Sequence, residues 1–239
     1  MLPGTTIRTA RPSIHEYRAI AALTARAPAD ELCDFEFSCP SELRRFDQSI
    51  AAYGTPVRRF LAAQQRHGPQ GVATVFQPPW SRRWGHYWAI VRVAPAARRK
   101  GLGSALCARA IDATRALGGR VVSLEVRLSM PAAIAAAGRL GFAEALRSVQ
   151  MCLDTRTFDS RPFQIYHERV AQAGIELVSL PEYQRRDPAW LAHFHDLYIQ
   201  ISRDVPIPDR PMIAPDQLAA MLEHMPSSLP AACFVALDG

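Results

Sequence analysis

The chain has 239 residues, length for one large or two small domains, with 49% hydrophobic and 21% charged residues. That balance argues against disorder, collagen-like structure and coiled coil. No apolar run approaches the roughly 18 residues of a membrane span, and Arg8 and Arg11 stand near the N-terminus without an apolar run behind them. Neither a secretory signal nor an anchor is therefore expected, and the expected location is the cytoplasm.

The formal charge of +6 is unevenly distributed: residues 1–160 hold 21 Arg and one Lys against 12 acids, a net +10, whereas residues 161–239 hold 6 Arg against 10 acids, a net −4. The split suggests two units, the first suited to an anion. Because 27 of the 28 basic residues are Arg, part of the excess reads as genomic base composition rather than a nucleic-acid surface, and no nucleic-acid partner is expected. Five cysteines (Cys33, Cys39, Cys107, Cys152, Cys233) show no C-x-x-C pair and no metal-site spacing. They read as free thiols, with no metal centre.

In chain order, Thr5 to Thr9 is β-prone, and a helical pattern begins at Ser13, a suitable N-cap, with Ile14, Tyr17, Ile20 and Ala21 on one face. Asp30 to Glu42 is acidic, and a second helical pattern runs to Tyr53, stopped by Gly54. The β-prone runs Val57–Ala63, Gly71–Phe76 and His86–Val93 then read as an antiparallel meander. Gly101 to Leu117 carries Leu102, Leu106, Ala110, Ala113 and Leu117 at helical spacing, Val121 to Leu128 alternates as a strand, Ala132 to Leu140 is helical, and Ala143 to Leu153 reads as a last strand. Strand, helix, strand from His86 to Leu128 implies a parallel pair with a right-handed crossover. Residues 155–163 are polar and contain Pro162, a linker between a first domain at 1–154 and a second unit at 164–239. The second unit repeats the opening of the first: strand Glu176–Leu180, helical Pro181–Arg203, a Pro-rich turn, helix Pro215–His224 and strand Ala232–Leu237. Asp238-Gly239 is a hairpin start without a return strand, so this unit reads as truncated, with an exposed strand edge through which copies of the chain could pair.

The chemistry-bearing segment is Val91-Arg92-Val93-Ala94-Pro95-Ala96-Ala97-Arg98-Arg99-Lys100-Gly101-Leu102-Gly103-Ser104. A strand enters a basic, Gly-containing turn that opens a helix, where unpaired backbone N–H groups and the positive end of the helix dipole favour phosphate. The glycines let a pyrophosphate approach the backbone, and the basic residues add charge. A dinucleotide fingerprint fails because Leu106 stands where a small third residue belongs, and a P-loop fails for want of Gly-Lys-Ser/Thr.

Arg98-x-x-Gly101-x-Gly103, preceded by Val93-x-Pro95 and followed by Leu140-Gly141-Phe142, resembles the GNAT superfamily of N-acetyltransferases over roughly residues 5–153. The resemblance implies an α/β (α+β) fold: a mixed sheet with splayed fourth and fifth strands flanked by helices, plus a partial second unit of the same type. It also implies acetyl-CoA as co-substrate, its pantetheine arm between the splayed strands on Val91, Arg92 and Val93 and its pyrophosphate on the turn Arg98, Arg99, Lys100, Gly101, Leu102, Gly103 and Ser104. An acceptor amine, of a small molecule, would attack the thioester directly, with a backbone N–H of the fourth strand stabilising the oxyanion.

The family's usual Tyr acid and Asn at the penultimate helix are replaced by Ala137 and Met130. Tyr87 is a substitute hydroxyl. His86 is a candidate base or an exposed strand start, and Glu125 a candidate base or the partner of a neighbouring Arg. Arg92 either meets the cofactor or covers a sheet face with its stem. The acidic stretch either borders a cationic amine or is a solvated face, and Trp80, Trp84, Tyr87 and Trp88 either wall the acceptor or form core and rim. His193 and His195, two apart on a helix, point in different directions and read as structural. The second unit has only Gly174 and Gly239 and so no room for the motif. The rival reading is a non-catalytic acyl-CoA-binding or regulatory module.

Overall fold

The computed structural model describes residues 4–52, 57–64, 68–78, 85–149, 151, 153–205 and 213–238. Gly54, Trp80, Trp84, Cys152 and the Pro206–Pro211 turn lie outside them. The described residues form two compact units, one of residues 1–143 with 195–228, the other of residues 144–194 with 229–239.

The first unit is built on a sheet of order β1-β2-β3-β4-β5, with strands Thr5–Thr9, Arg58–Gln64, Gly68–Phe76, His86–Val93 and Val121–Leu124. The first four are antiparallel neighbours and β5 runs parallel to β4, joined by helix α3, Leu102–Ala116. Helix α1, Ile14–Thr24, starts where the Ser13 hydroxyl accepts the Glu16 N–H at 3.3 Å. Helix α2, Pro40–Ala51, uses Pro40 in its first turn, where the missing N–H costs nothing, and buries Leu43, Phe46 and Ile50 at helical spacing. Leu102, Leu106 and Ala110 of α3 join Leu61, Val72 and Ala73 of the sheet in the main core. A second cluster of Phe46, Ile50, Phe76 and Ile90 takes in Met225, which follows helix α8, Pro215–His224.

Helix α4, Pro131–Arg139, follows β5. Two expectations change here. The fifth strand ends at Leu124, four residues before the end of the alternating pattern, because the chain beyond it turns to meet the loop after α1. No strand forms among the described residues of 143–153, where Leu146, Val149, Met151 and Leu153 stand 61–91% exposed.

In the second unit, helix α5 spans Gln164–Gln172 and strand β6, Ile175–Ser179, pairs antiparallel with β7, Phe234–Asp238. The expected long helix from Pro181 divides into α6, Leu180–Arg186, and α7, Trp190–Ser202. Pro188 is the reason: it forces Asp187 into an extended conformation (φ −120°, ψ 106°) that no helix accommodates. No helix among the described residues is long and apolar enough to cross a membrane.

Candidate functional site

Strand β4 pairs with β5 only from His86 to Ala89, opposite Val121 to Leu124, yet continues to Val93. Ile90 to Val93 therefore leave about 13 Å of backbone edge without a β5 partner, a wedge open toward the strand ends. The turn after β4 leads directly into α3. Gly101, the N-cap, sits at φ +79°, where a Cβ would be strained, and Arg99 adopts φ +61° two residues earlier. Alternating left-handed residues turn successive N–H groups toward one side, the geometry of an anion nest.

No side chain caps α3. The first N–H to close a helical bond is that of Ala105, donating to Gly101 O at 3.1 Å, so the amides of Leu102, Gly103 and Ser104 precede the helical ladder. A Cβ placed on Gly103 would meet only Val93 Cγ2 at 3.7 Å, ordinary contact, so the missing side chain is not required by packing. Leu102 buries its side chain and offers only its amide. Arg99 and Lys100 are exposed, and the Lys100 ammonium donates to Ala96 O at 3.0 Å.

The other side of the wedge is closed by the loop after α1, residues 29–37, which bridges both lips. From β4, the Arg92 guanidinium is buried (3% exposed), donates to Glu31 O at 2.9 Å, to Glu36 Oε1 at 2.8 Å, and pairs again with Glu36 Oε2. Burial works against its charge, but the Glu36 carboxylate outweighs it and raises the Arg92 pKa. Arg98 donates to Glu31 Oε1 at 2.9 Å and to Val93 O at 3.2 Å. Hydrogen bonds from Arg98 hold the Glu31 carboxyl below its usual range. Beyond β5, Arg127 Nε donates to Leu32 O at 2.6 Å, and the Ser129 hydroxyl to Asp30 O at 3.0 Å. Two of the arginines expected to meet the cofactor are thus held by carboxylates of this strap. Glu31 and Glu36, read as possible amine-facing charges, are already neutralised.

Glu125 shares Arg127 with Asp34 at the wedge, as the ion-pair reading of this residue expected, and accepts the Asp34 N–H at 3.5 Å. It follows β5, is one-quarter exposed, and lies 3.7 Å from Arg127 Nη2. Burial and the neighbouring Asp34 carboxylate raise its pKa. Cys33 donates its thiol to Glu125 O at 3.6 Å, and burial together with Glu125 and Glu36 pushes that thiol up to about 12. Phe35, at φ +64°, places its ring 6.1 Å from Trp88, which shares the β4 face of Ile90 and Arg92. Cys33 and Phe35 carry no sequence signal of a site role, and Glu31 and Glu36 enter only through the acidic stretch. The signal available was an acidic run with a basic run sixty residues on, which tells of complementarity but not of position.

The structure does not bring His86 or Tyr87 to the wedge. His86 begins β4, its Nε2 2.8 Å from Ser123 Oγ, about 13 Å of strand short of Ile90. Tyr87 is 7% exposed in the main core, and its hydroxyl donates to Leu117 O at 3.3 Å. Ala137 lies in α4 without a hydroxyl to offer. His193 pairs with Asp187 at 2.7 Å and His195 with Ile213 O at 2.7 Å, and no metal-binding cluster occurs among the described residues.

Residues 26–142 match the Acetyltransferase (GNAT) family, and this stretch is a GNAT acetyltransferase domain. The chain is similar in structure to a candidate acetyltransferase from Salmonella typhimurium solved with its cofactor acetyl-CoA, at 22% identity and a TM-score of 0.50 over 64% of this chain and 87% of that one. It is also similar to an N-acetyltransferase from Staphylococcus aureus Mu50 (21% identity, TM-score 0.49, 59% and 84% covered) and to a spermidine N-acetyltransferase from Vibrio cholerae (20%, 0.48, 64% and 86%). At 22% identity the likeness to the Salmonella structure speaks for the fold. No curated protein sequence matches the chain.

Proposed function

We propose that the chain is an acetyl-CoA-dependent N-acetyltransferase that moves an acetyl group to the primary amine of a small molecule. The observation that carries this reading is the uncapped α3 N-terminus beside the unpaired edge of β4. The amides of Arg99 to Ser104 would hold the pyrophosphate, Arg99 and Lys100 would add charge, and the backbone of Val91, Arg92 and Val93 would hold the pantetheine arm. Arg92 and Arg98 contribute through their backbone and by fixing the strap.

In this arrangement Glu125 is the base. A carboxylate with a raised pKa at the mouth of the wedge can take the proton of an ammonium acceptor, and the free amine then attacks the thioester carbonyl. A backbone N–H on the unpaired β4 edge stabilises the oxyanion, and the thiolate leaves. The nitrogen, cationic after the attack, gives up its second proton as the C–S bond breaks, and solvent relays that proton to the departing thiolate; the Cys33 thiol, pushed up by burial, is not the donor. Apolar Phe35 and Trp88 would wall the acceptor side.

Residues 1–154 make the catalytic domain and 155–163 the linker in this reading. Residues 164–239 make a second unit of the same type in this reading, supported by β6 pairing antiparallel with β7 across intervening helices as β1 does with β2, with residues 195–228 packing in the first compact unit. The exposed edge of that pair is a place for a second copy to add a strand. The free thiols Cys33, Cys39, Cys107 and Cys233 favour a cytoplasmic location.

A non-catalytic acyl-CoA-binding module is the alternative, favoured by Ala137 and by the engagement of the Tyr87 hydroxyl. Purified protein with acetyl-CoA and a panel of small amines separates the two: release of free thiol that depends on the amine is expected, and CoA binding without turnover across the panel supports the module.

A further inference from the structure

Charge on the acceptor side of the wedge almost cancels. Arg92 pairs with Glu36 and lies 3.5 Å from Glu31, to which Arg98 donates at 2.9 Å. Arg127 lies 3.6 Å from Asp34 and 3.7 Å from Glu125. Four carboxylates, those of Glu31, Asp34, Glu36 and Glu125, thus meet three guanidiniums, and one negative charge is left over. Asp30, the remaining acid of the strap, is exposed and joins the network only through its carbonyl, which accepts the Ser129 hydroxyl. Cys33, beside Glu125, stays a neutral thiol. One ammonium is balanced by this arrangement. A second would lose hydration without gaining a counter-charge.

Apolar surface adjoins that charge. Phe35 follows Asp34, whose N–H reaches Glu125 Oε1 at 3.5 Å, and its ring stands 6.1 Å from Trp88, edge to face. Both rings are part-exposed, so a molecule held at Glu125 can touch them. Phe35 keeps φ at +64°, a costly conformation for a bulky residue, with its ring against Phe46, Phe76 and Trp88. Met225, 7% exposed, and Met221 back the same cluster from outside residues 26–142. The rings are therefore fixed before any ligand arrives.

We propose that the acceptor is a primary monoamine on an apolar body about the size of one ring, and that polyamines are disfavoured by charge; this rests on the transferase reading above. The ammonium meets the one uncompensated charge at Glu125 and Asp34, and the body lies on Phe35 and Trp88. The nitrogen takes the acetyl group, the C–S bond breaks, and the products are the amide, CoA thiol and one proton released to solvent. Thiol release at saturating acetyl-CoA compares 2-phenylethylamine with ethylamine, putrescine and spermidine. The kcat/KM for 2-phenylethylamine should exceed each of the others by at least about tenfold. Ethylamine, putrescine or spermidine turned over as well as 2-phenylethylamine would overturn the acceptor class and leave the transferase reading standing.

Binding is read separately by 19F NMR of the full-length chain labelled with 5-fluorotryptophan, in the presence of CoA, with Trp88 assigned among the four tryptophans by Trp88→Phe. A saturable Trp88 shift with 2-phenylethylamine is expected, and a Trp88 signal unmoved up to about 20 mM would overturn the proposal even where turnover occurs. A saturable shift without thiol release from any amine would keep the pocket and sink the transferase reading instead. Phe35→Gly suits the left-handed backbone and Trp88→Ala changes a part-exposed side chain, so both should fold. Each should raise KM for 2-phenylethylamine about tenfold, with KM for acetyl-CoA within about twofold of the parent and ethylamine least affected. Equal losses for both amines, or an acetyl-CoA KM that rises in step, would overturn the proposal.

Discussion

The two sides of the wedge are built on opposite principles. The pyrophosphate side is a single run, Arg98 to Ser104, whose function follows from backbone geometry: two left-handed residues, a helix that starts without a cap, and glycines where a side chain would intrude. The strap side is assembled from residues 29–37, 92, 98 and 125–129 through charge pairs that no local rule connects. A site made of backbone is compact in sequence and tolerant of side-chain change outside its glycines. A site made of buried ion pairs is dispersed, and removing one member leaves another charge stranded.

The sharpest way to break that contrast is Arg92→Leu. It leaves Glu36, whose side chain is 5% exposed, without its cation, and removing one partner of a buried pair costs about 3–5 kcal/mol. Chemical denaturation should show that loss. The Arg92→Leu/Glu36→Gln double variant should recover a large part of it, and equal destabilisation of single and double variants would mean the pair is not what fixes the strap.

Gly103→Trp tests the backbone side. Because the Gly103 Cβ position meets only Val93 Cγ2 at 3.7 Å, the melting temperature should stay close to that of the parent. Calorimetry with CoA should show affinity down by about a hundredfold, since the new side chain stands where the pyrophosphate must approach the amides. Parent-like CoA affinity in a folded Gly103→Trp protein would sink the assignment of the turn.

Glu125→Gln probes where the two sides meet. A raised carboxyl pKa means the proton is held to higher pH, so the active, deprotonated base accumulates only as pH rises through that raised value. The acidic limb of kcat/KM for the parent should accordingly lie above the usual carboxylate range. Glu125→Gln should lower kcat by roughly a hundredfold at neutral pH and abolish that limb. A limb that persists in the variant would assign the base to another group.

These contrasts explain what the sequence made legible. β1, α1 with its Ser13 cap, β4 and α3 were readable because β-branched alternation, a capping hydroxyl and 3.6-residue spacing act within a few residues. The wedge was readable only through family resemblance, since the point where β5 leaves β4 depends on Arg127 and Ser129 reaching back to residues 30–32. The same distance hid the fate of the acidic run: Glu31 and Glu36 are neutralised by residues some sixty positions away. Tyr87 was misleading for a related reason. Alternation along β4 says which residues share a face, but which face looks to α3 is decided by the packing of Leu102 and Leu106.

The smallest expected effect lies at the exposed end of the turn. Lys100 donates only to Ala96 O from a solvated position, so its charge reaches a bound diphosphate through water and ions. Lys100→Gln should weaken CoA by about two- to threefold in low salt and by less in 0.5 M salt, where screening removes the difference between the variants. The backbone amides, by contrast, do not depend on that side chain, so the variant should retain turnover at saturating acetyl-CoA. If Lys100→Gln instead cost as much as Gly103→Trp, side-chain charge rather than the helix N-terminus would be holding the phosphates, and the distinction between a backbone-built and a side-chain-built half of the site would fail.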